Sequence, residues 1–488
     1  MLTRTTLKEI VKSKLGEALF IVASNREPYI HAYKEDKIEC IRPASGMAVA
    51  LDPVMQACGG IWVAHGSGDA DKDVVDDKNR VQVPPNNPKY TLRRVWMSKE
   101  EEDSYYYGTS NETFWPLCHI AYVRPKFDEL DWIQYKKINE RFAETILDEI
   151  GNQKAFVWFQ DFHLSLAPKI IKEKNPEIIT AHFWHIPWPN PEAFRICPWK
   201  EEILEGLLAN DVVGFHTRYH CNNFLDTIDQ TLEAKTDRDT YSVSYKGLIT
   251  LVKPFPISVD FKSISDLANA PEVEMEMVQI RRKYDLKDKI VGVGVERIDY
   301  TKGIPERLKA IDRFLEKYPE YQKKFVFLQL GAPSRIHIPE YKKVNEEIEE
   351  LVEDIDWKYH TNNWLPIIFW REHHEVTRIL ACYKLANICI VSPLHDGMNL
   401  VAKEFIAAQN DTDGMLILSR FCGSARELQE AILINPYDLE RFADAIKEGI
   451  EMPSDEKKKR MEEMRETTKE NNIYTWAGNV ISALTRLS

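Results

Sequence analysis

Short, almost wholly apolar runs recur along the chain at residues 18–25, 61–65, 154–161, 179–187 and 211–217, and helix-like sequence follows the last three. Continuous apolar runs alternating with helical patterns predict parallel strands buried on both faces. Residues 241–257 read as an antiparallel excursion, a strand pair turning at Lys246–Gly247. A polar, acidic stretch, 258–288, interrupts the pattern. It then restarts at 289–297, 324–332, 365–370, 387–393, 414–420 and 431–436. The expected fold class is α/β, with two Rossmann-like doubly wound domains at 1–258 and 259–470. A C-terminal segment, 471–488, carries a last helix over 474–486 after the charged run 455–470, and is free to cross back to the first domain. In such sheets ligands bind outside the carboxyl ends of strands, so polar residues there are the first candidates for function.

Two strand ends in the second half stand out. The stretch VSPLHDGMNLVAKEF, 391–405, leaves an apolar strand, turns through Pro393–Asn399, and enters a helix over 400–409. Asp396 and Gly397 sit in the turn, and Asn399 suits an N-cap whose side chain accepts a backbone N–H. The free N–H groups of such a helix start suit an anion. Glu404, about one turn in, can accept two hydroxyls of a ribose through its two oxygens. In VGVGVERIDYTKG, 291–303, Arg297 supplies a planar fork of donors and Lys302 a compact charge at one strand mouth, where a diphosphate fits. Gly292 and Gly294 lack the third glycine of a dinucleotide fingerprint, and Arg297 stands in its place. The next strand ends in GAPSR with Arg335.

The first half offers its own strand ends. Arg26 closes the first strand, and Gly46, beside Ser45 in the loop RPASGMA, permits close backbone approach to a ligand. Tyr106 and Trp115, in SYYYGTSNETFWPLCH, suit the wall of a sugar pocket, while composition alone favours a buried aromatic cluster. Asp161 in QDFH and His185 in HFWHIPWPNP close neighbouring strands, where a carboxylate and an imidazole can hold sugar hydroxyls or move a proton. His216 and His220 in HTRYH have zinc-like spacing without a clear third ligand, and DAD at 69–71 reads as a solvated turn, so no metal site is expected.

Composition narrows the class. The 488 residues are 44% hydrophobic and 29% charged, an ordinary globular balance, with no apolar run approaching the roughly 20 residues of a membrane span. A formal charge of −13 excludes nucleic acid and anionic membrane as the main partner, so an anionic ligand must meet a local Arg and Lys cluster. The N-terminal residues lack a signal-peptide pattern and the eight cysteines form no CxxC pair, which predicts a cytoplasmic protein with reduced core thiols.

Taken together, SNR, WP, FQDFH, HIPWPNPEAF, GFHT, VERIDYTKG, APSR and PLHDGMNLVAKEF, in that order over about 19–476, resemble the trehalose-6-phosphate synthase family, glycosyltransferase family 20. The resemblance implies the GT-B fold, two Rossmann-like domains facing across a cleft. It implies a retaining enzyme that moves glucose from a nucleoside diphosphate glucose, UDP-glucose first, to glucose 6-phosphate, without cofactor or essential metal. Its partners are then a nucleotide sugar and a sugar phosphate, with self-association left open. The catalytic set it implies is Asp161, His185, Arg297, Lys302 and Asp396. Arg297 and Lys302 hold the donor diphosphate. Asp396 with the Gly397, Met398 and Asn399 backbone holds the glucose, Leu400 and Val401 add backbone contacts, Glu404 binds the ribose, and Gly46 lies over the donor. His185 touches the donor sugar and Asp161 the acceptor sugar. Arg26, Tyr106, Trp115 and Arg335 grip the acceptor phosphate. Two positions depart from the family pattern: His65 stands where a second tryptophan is usual, and Ser45 replaces the first of two glycines. They leave room for another phosphorylated acceptor, such as glycerol 3-phosphate. A non-catalytic sugar-phosphate sensor is the alternative of a different class.

Overall fold

The computed structural model describes residues 2–35, 37–43, 46–361 and 364–484. The chain divides into two compact units, Met1–Ile257 with Ile473–Ser488, and Ser258–Asn472.

The first unit holds β1 (Leu19–Ser24), β2 (Ile30–Lys34), β3 (Lys37–Ile41), β4 (Ile61–His65), β5 (Arg80–Val83), β6 (Tyr90–Val95), β7 (Ala155–Gln160), β8 (Ile179–Phe183), β9 (Val212–Phe215), β10 (Lys235–Asp237), β11 (Ser242–Tyr245) and β12 (Leu248–Pro254). All but β2 and β3 form one sheet in the order β10-β11-β12-β9-β8-β7-β1-β4-β6-β5. Its centre is parallel: β1 pairs with β4 and β7, and β8 with β7 and β9. Every residue of β7 and β9 is buried, which is why their sequences read as unbroken apolar runs. The antiparallel members lie at the rims, with β5 on β6 at one edge and β10–β12 at the other. β2 and β3 form a separate antiparallel hairpin, and β3 is exposed throughout.

The second unit holds β13 (Ile290–Arg297), β14 (Phe325–Ala332), β15 (Ile367–Trp370), β16 (Ile388–Val391), β17 (Met415–Ser419) and β18 (Ile432–Ile434) in the order β15-β14-β13-β16-β17-β18, every pair parallel. The order reverses direction at β13 and β16, so the loops leaving these two strands diverge at a topological switch point. The acidic stretch 258–288 is helical here: Phe261–Ala268 and Pro271–Lys283 belong to this unit.

The last described helix, Ile473–Leu484, belongs to the first unit and packs on the helix Arg4–Leu15. Its Trp476 lies 4.7 Å from Trp158 of β7, ring centre to ring centre, and donates its indole N–H to the Phe255 carbonyl at 3.2 Å. Among the described residues, no helix is long and apolar enough to cross a membrane.

Candidate functional site

In the second unit, the loops after β13 and β16 are locked together. Lys302 donates its N–H to the Asp299 carbonyl, and Leu394 donates to that of Thr301 at 2.8 Å. Gly303 has φ +62°, and a Cβ there would lie 2.1 Å from the Ser392 carbonyl oxygen. Only glycine permits that approach and that backbone conformation. The turn is closed from the other side, where Asp396 N–H donates to Phe421 and Ser424 N–H to Met398.

This interlock brings Lys302 and Asp396 into contact, Nζ to Oδ2 at 2.5 Å, with both side chains mostly buried. The same Oδ2 accepts from Asn399 Nδ2 at 3.2 Å. The expected capping role of the Asn399 side chain is therefore corrected. Asn399 stands at the N-cap of the helix Leu400–Ala408 with φ +69°, makes no side-chain cap, and turns its amide to Asp396 instead. Its Oδ1 is buried with no hydrogen-bond partner among the described residues. Gly397 and Met398 are buried, and Leu400 and Val401 open the helix half-buried. Glu404, one turn on, accepts from the Tyr383 hydroxyl at 3.4 Å. Burial raises its pKa, and that hydroxyl offsets the shift only in part.

Arg297, half-buried, ends β13, and behind it Arg307 braces the strand. Fully buried, Arg307 makes a two-pronged pair with Glu296 at 2.6 Å each and donates to Ser392 Oγ and Gln329. Arg335, φ +48°, donates to the Tyr341 hydroxyl at 2.6 Å and lies 3.4 Å from Asp299 Oδ2. The buried arginine thus has a carboxylate beside it. Burial alone would raise the Asp299 carboxyl; the charges of Arg335, then Lys302 and Arg297, outweigh it and hold the pKa below the ordinary range. Asp299 and Tyr341 were not singled out from sequence. Asp299 sits inside the VERIDYTKG motif, but its partner Tyr341 lies far along the chain and nothing in the sequence pairs them.

In the first unit, Arg26 donates to the Tyr106 hydroxyl at 2.6 Å, and its guanidinium lies 4.9 Å from the centre of that ring. Tyr106 stacks on His163, whose Nδ1 is 3.9 Å from Asp161 Oδ2. Asp161 holds φ +70° and accepts the His185 N–H on Oδ1 at 3.1 Å. Such backbone strain in a non-glycine residue clusters at functional positions. The His185 ring meets Gln160 Oε1 at 2.9 Å, and burial, then neighbouring His216, His182 and His163, pushes its pKa well below the usual value. Both causes favour the uncharged imidazole. Trp115 lies 4.1 Å from His119 and 6.3 Å from Phe162, centre to centre, in the aromatic packing beside Asp161.

Arg26, Tyr106, Asp161 and His185 thus join one cluster, with Trp115 at its flank. Gly46 does not lie in a loop as expected: it is the exposed first residue of the helix Gly46–Cys58. Ser45 lies outside the described residues. His65 ends β4, where its Nδ1–H donates to the Val95 carbonyl at 3.0 Å.

The remaining sequence candidates are engaged elsewhere. His216 donates from Nε2 to the His185 carbonyl. Asp71 pairs with buried Arg94 at 2.6 Å and accepts the N–H groups of His31 and Gly68. Glu27 is a further partner of Arg94, at 3.0 Å. Among the described residues, no group of three His, Cys, Asp or Glu side chains is arranged to hold a metal.

Two switch-point loops joined by a lysine and a carboxylate, beside a helix start, suit a phosphorylated sugar donor. The family model Glycosyltransferase family 20 matches residues 18–486. A trehalose-6-phosphate synthase of Mycolicibacterium vanbaalenii is 34% identical over 97% of this chain and 97% of its own. A bifunctional trehalose-6-phosphate synthase/phosphatase of Thermoproteus tenax is 33% identical over 95% of this chain, which spans 63% of that protein. Among solved structures, an E. coli chain described as trehalose-6-phosphate bound with UDP-2-fluoro glucose superimposes with a TM-score of 0.86. It shares 29% identity over 96% of this chain and 100% of that one. An alpha,alpha-trehalose-phosphate synthase (UDP-forming) from Burkholderia xenovorans in complex with glucose-6-phosphate gives 0.86 at 28% identity, covering 96% and 100%. The chain is a glycosyltransferase of the GT-B class. It belongs to glycosyltransferase family 20.

Proposed function

We propose that this enzyme transfers glucose from UDP-glucose to the anomeric hydroxyl of glucose 6-phosphate, giving trehalose 6-phosphate and UDP with the donor's α configuration retained. The observation that carries the reading is the Lys302–Asp396 contact at the mouths of β13 and β16, beside the first turn of the helix Leu400–Ala408. Lys302 and Arg297 take the donor diphosphate and stabilise the charge that grows on it as the glycosidic bond breaks, the largest electrostatic contribution expected. Asp396 and the backbone of Gly397, Met398 and Asn399 hold the glucose, and buried Asn399 Oδ1 is a further acceptor for a sugar hydroxyl. Leu400 and Val401 offer N–H groups to phosphate, and Glu404 takes the ribose. His185, held neutral, binds the donor sugar as a hydrogen-bonding group. Asp161 takes the acceptor sugar, and Arg26, Tyr106, Trp115 and Arg335 its phosphate. Gly46 is assigned to the donor. The acceptor proton passes to the departing diphosphate oxygen on the face where the new bond forms, so no protein nucleophile is needed.

The structures that superimpose on this chain support the substrate pair, one being described with UDP-2-fluoro glucose and another with glucose-6-phosphate. The departure at His65 favours one second reading, the same donor with another phosphorylated acceptor. A donor-by-acceptor matrix read by mass spectrometry tests both. Disaccharide phosphate from UDP-glucose and glucose 6-phosphate is the expected product. Product from glycerol 3-phosphate alone would select the second reading, and product from no pair would leave a sensor.

A further inference from the structure

We infer that Tyr341 and Asp299 are a positioning pair that aims Arg335, and so set the strength with which the acceptor's phosphate is held. This rests on the assignment of Arg335 to that phosphate. The three side chains form a closed triangle: Arg335 Nη1 donates to the Tyr341 hydroxyl at 2.6 Å, that hydroxyl donates to Asp299 Oδ2 at 3.1 Å, and Nη1 stands 3.4 Å from the same Oδ2. Asp299 and Tyr341 are fully buried, and the Arg335 side chain is 7% exposed. Asp299 is itself fixed, because its Oδ1 accepts the N–H and the hydroxyl of Thr301 at 3.0 and 2.9 Å. Tyr341 is fixed by the helix Pro339–Tyr359 and by the Tyr300 ring 5.2 Å away.

Two features separate this triangle from ordinary core packing. Arg335 adopts a left-handed backbone conformation at φ +48°, which costs energy for a non-glycine residue and persists only where surrounding contacts enforce it. In addition, the other carboxylate oxygen of Asp299 accepts the N–H and hydroxyl of Thr301, the residue before Lys302 on the same loop. One buried carboxylate therefore anchors both the arginine assigned to the acceptor and the loop of the lysine assigned to the donor. Long flexible side chains lose affinity when their rotamers must be ordered on binding. A guanidinium already held on two sides avoids that loss.

The test is steady-state kinetics with UDP-glucose and glucose 6-phosphate on Tyr341→Phe, Arg335→Ala and the double variant. Tyr341→Phe keeps the ring and its packing and removes only the hydroxyl. It should raise the acceptor KM by roughly fivefold to tenfold, the usual net effect of one hydrogen bond, and leave the donor KM within about twofold. In the Arg335→Ala background the same change should have no further effect, since a residue acting through another is not additive with it. Asp299→Asn, with folding checked by thermal melting, should raise the acceptor KM further than Tyr341→Phe. An unchanged acceptor KM in Tyr341→Phe, equal rises in both KM values, or full additivity with Arg335→Ala would overturn the positioning role while the proposed reaction stands. A wild-type enzyme inactive on this substrate pair would overturn the reaction and this assignment with it.

Discussion

Lys302 has a counter-charge within the protein, the Asp396 carboxylate at 2.5 Å. On the proposed assignment, removing it does two things at once: it takes a cation from the donor diphosphate, and it takes the lysine away from a mostly buried carboxylate. Each charge-assisted contact contributes roughly 1.5–3 kcal/mol, so Lys302→Ala should lower kcat/KM for the donor by about tenfold or more. Lys302→Arg should recover part of this, because the charge returns but a planar fork replaces a point charge. Near-normal turnover in Lys302→Ala would contradict the donor assignment. At this scale the sequence was informative where a charged residue ends an apolar strand, as with Arg297, Asp161 and Arg26. It was silent where a side chain is held by a partner distant along the chain. Nothing in the sequence places Tyr341 against Asp299, or turns the Asn399 amide to Asp396 instead of to the helix start.

The elements around the switch point depend on close backbone approach, and Gly303 is the test of it. A methyl group there meets the Ser392 carbonyl at 2.1 Å while the backbone stays at φ +62°. Gly303→Ala must shift the loop that carries Lys302 or the strand end that leads to Asp396. At a compatible backbone a glycine-to-alanine change stabilises by about 0.4–1 kcal/mol; here we expect a destabilisation of about 1–3 kcal/mol from backbone strain. Turnover should fall as well, because the Lys302–Asp396 contact depends on the interlock. Thermal melting and donor kinetics together check this, and an unchanged melting temperature would refute the tight approach. Elements such as β7 and β16 were legible because burial on both faces leaves an unbroken apolar run. The β2–β3 hairpin was not, since β3, KIECI, is wholly exposed and its apolar residues mark no buried face. Nor was the wide π-type helix Asp103–Phe114, in which Tyr105 and Tyr106 carbonyls accept the side chains of Ser110 and Asn111 five residues on. That spacing departs from the period by which helices are recognised.

At the scale of the whole molecule, the order of the chain and the order of its units differ. The helix Ile473–Leu484 follows the second unit in sequence but is part of the first. Sequence left its destination open, because an apolar helix face records that it is buried and not against what. In place, its Trp476 reaches under the candidate site: the ring lies 4.7 Å from Trp158, 5.1 Å from Phe183 and 6.3 Å from His185, centre to centre. The helix therefore holds the carboxyl ends of β7 and β8, where Asp161 and His185 stand. Truncating a buried tryptophan to alanine costs about 3–5 kcal/mol, through the lost apolar burial and the cavity left behind. Trp476→Ala should speed amide exchange in β7 and β8 and leave β13 to β18 protected as before, because Trp158, Phe183 and His185 belong to the first unit. Turnover should fall with it, since His185 loses one wall. Faster exchange in β13 to β18, with β7 and β8 unchanged, would mean that the helix stabilises the second unit and that its assignment to the first is wrong.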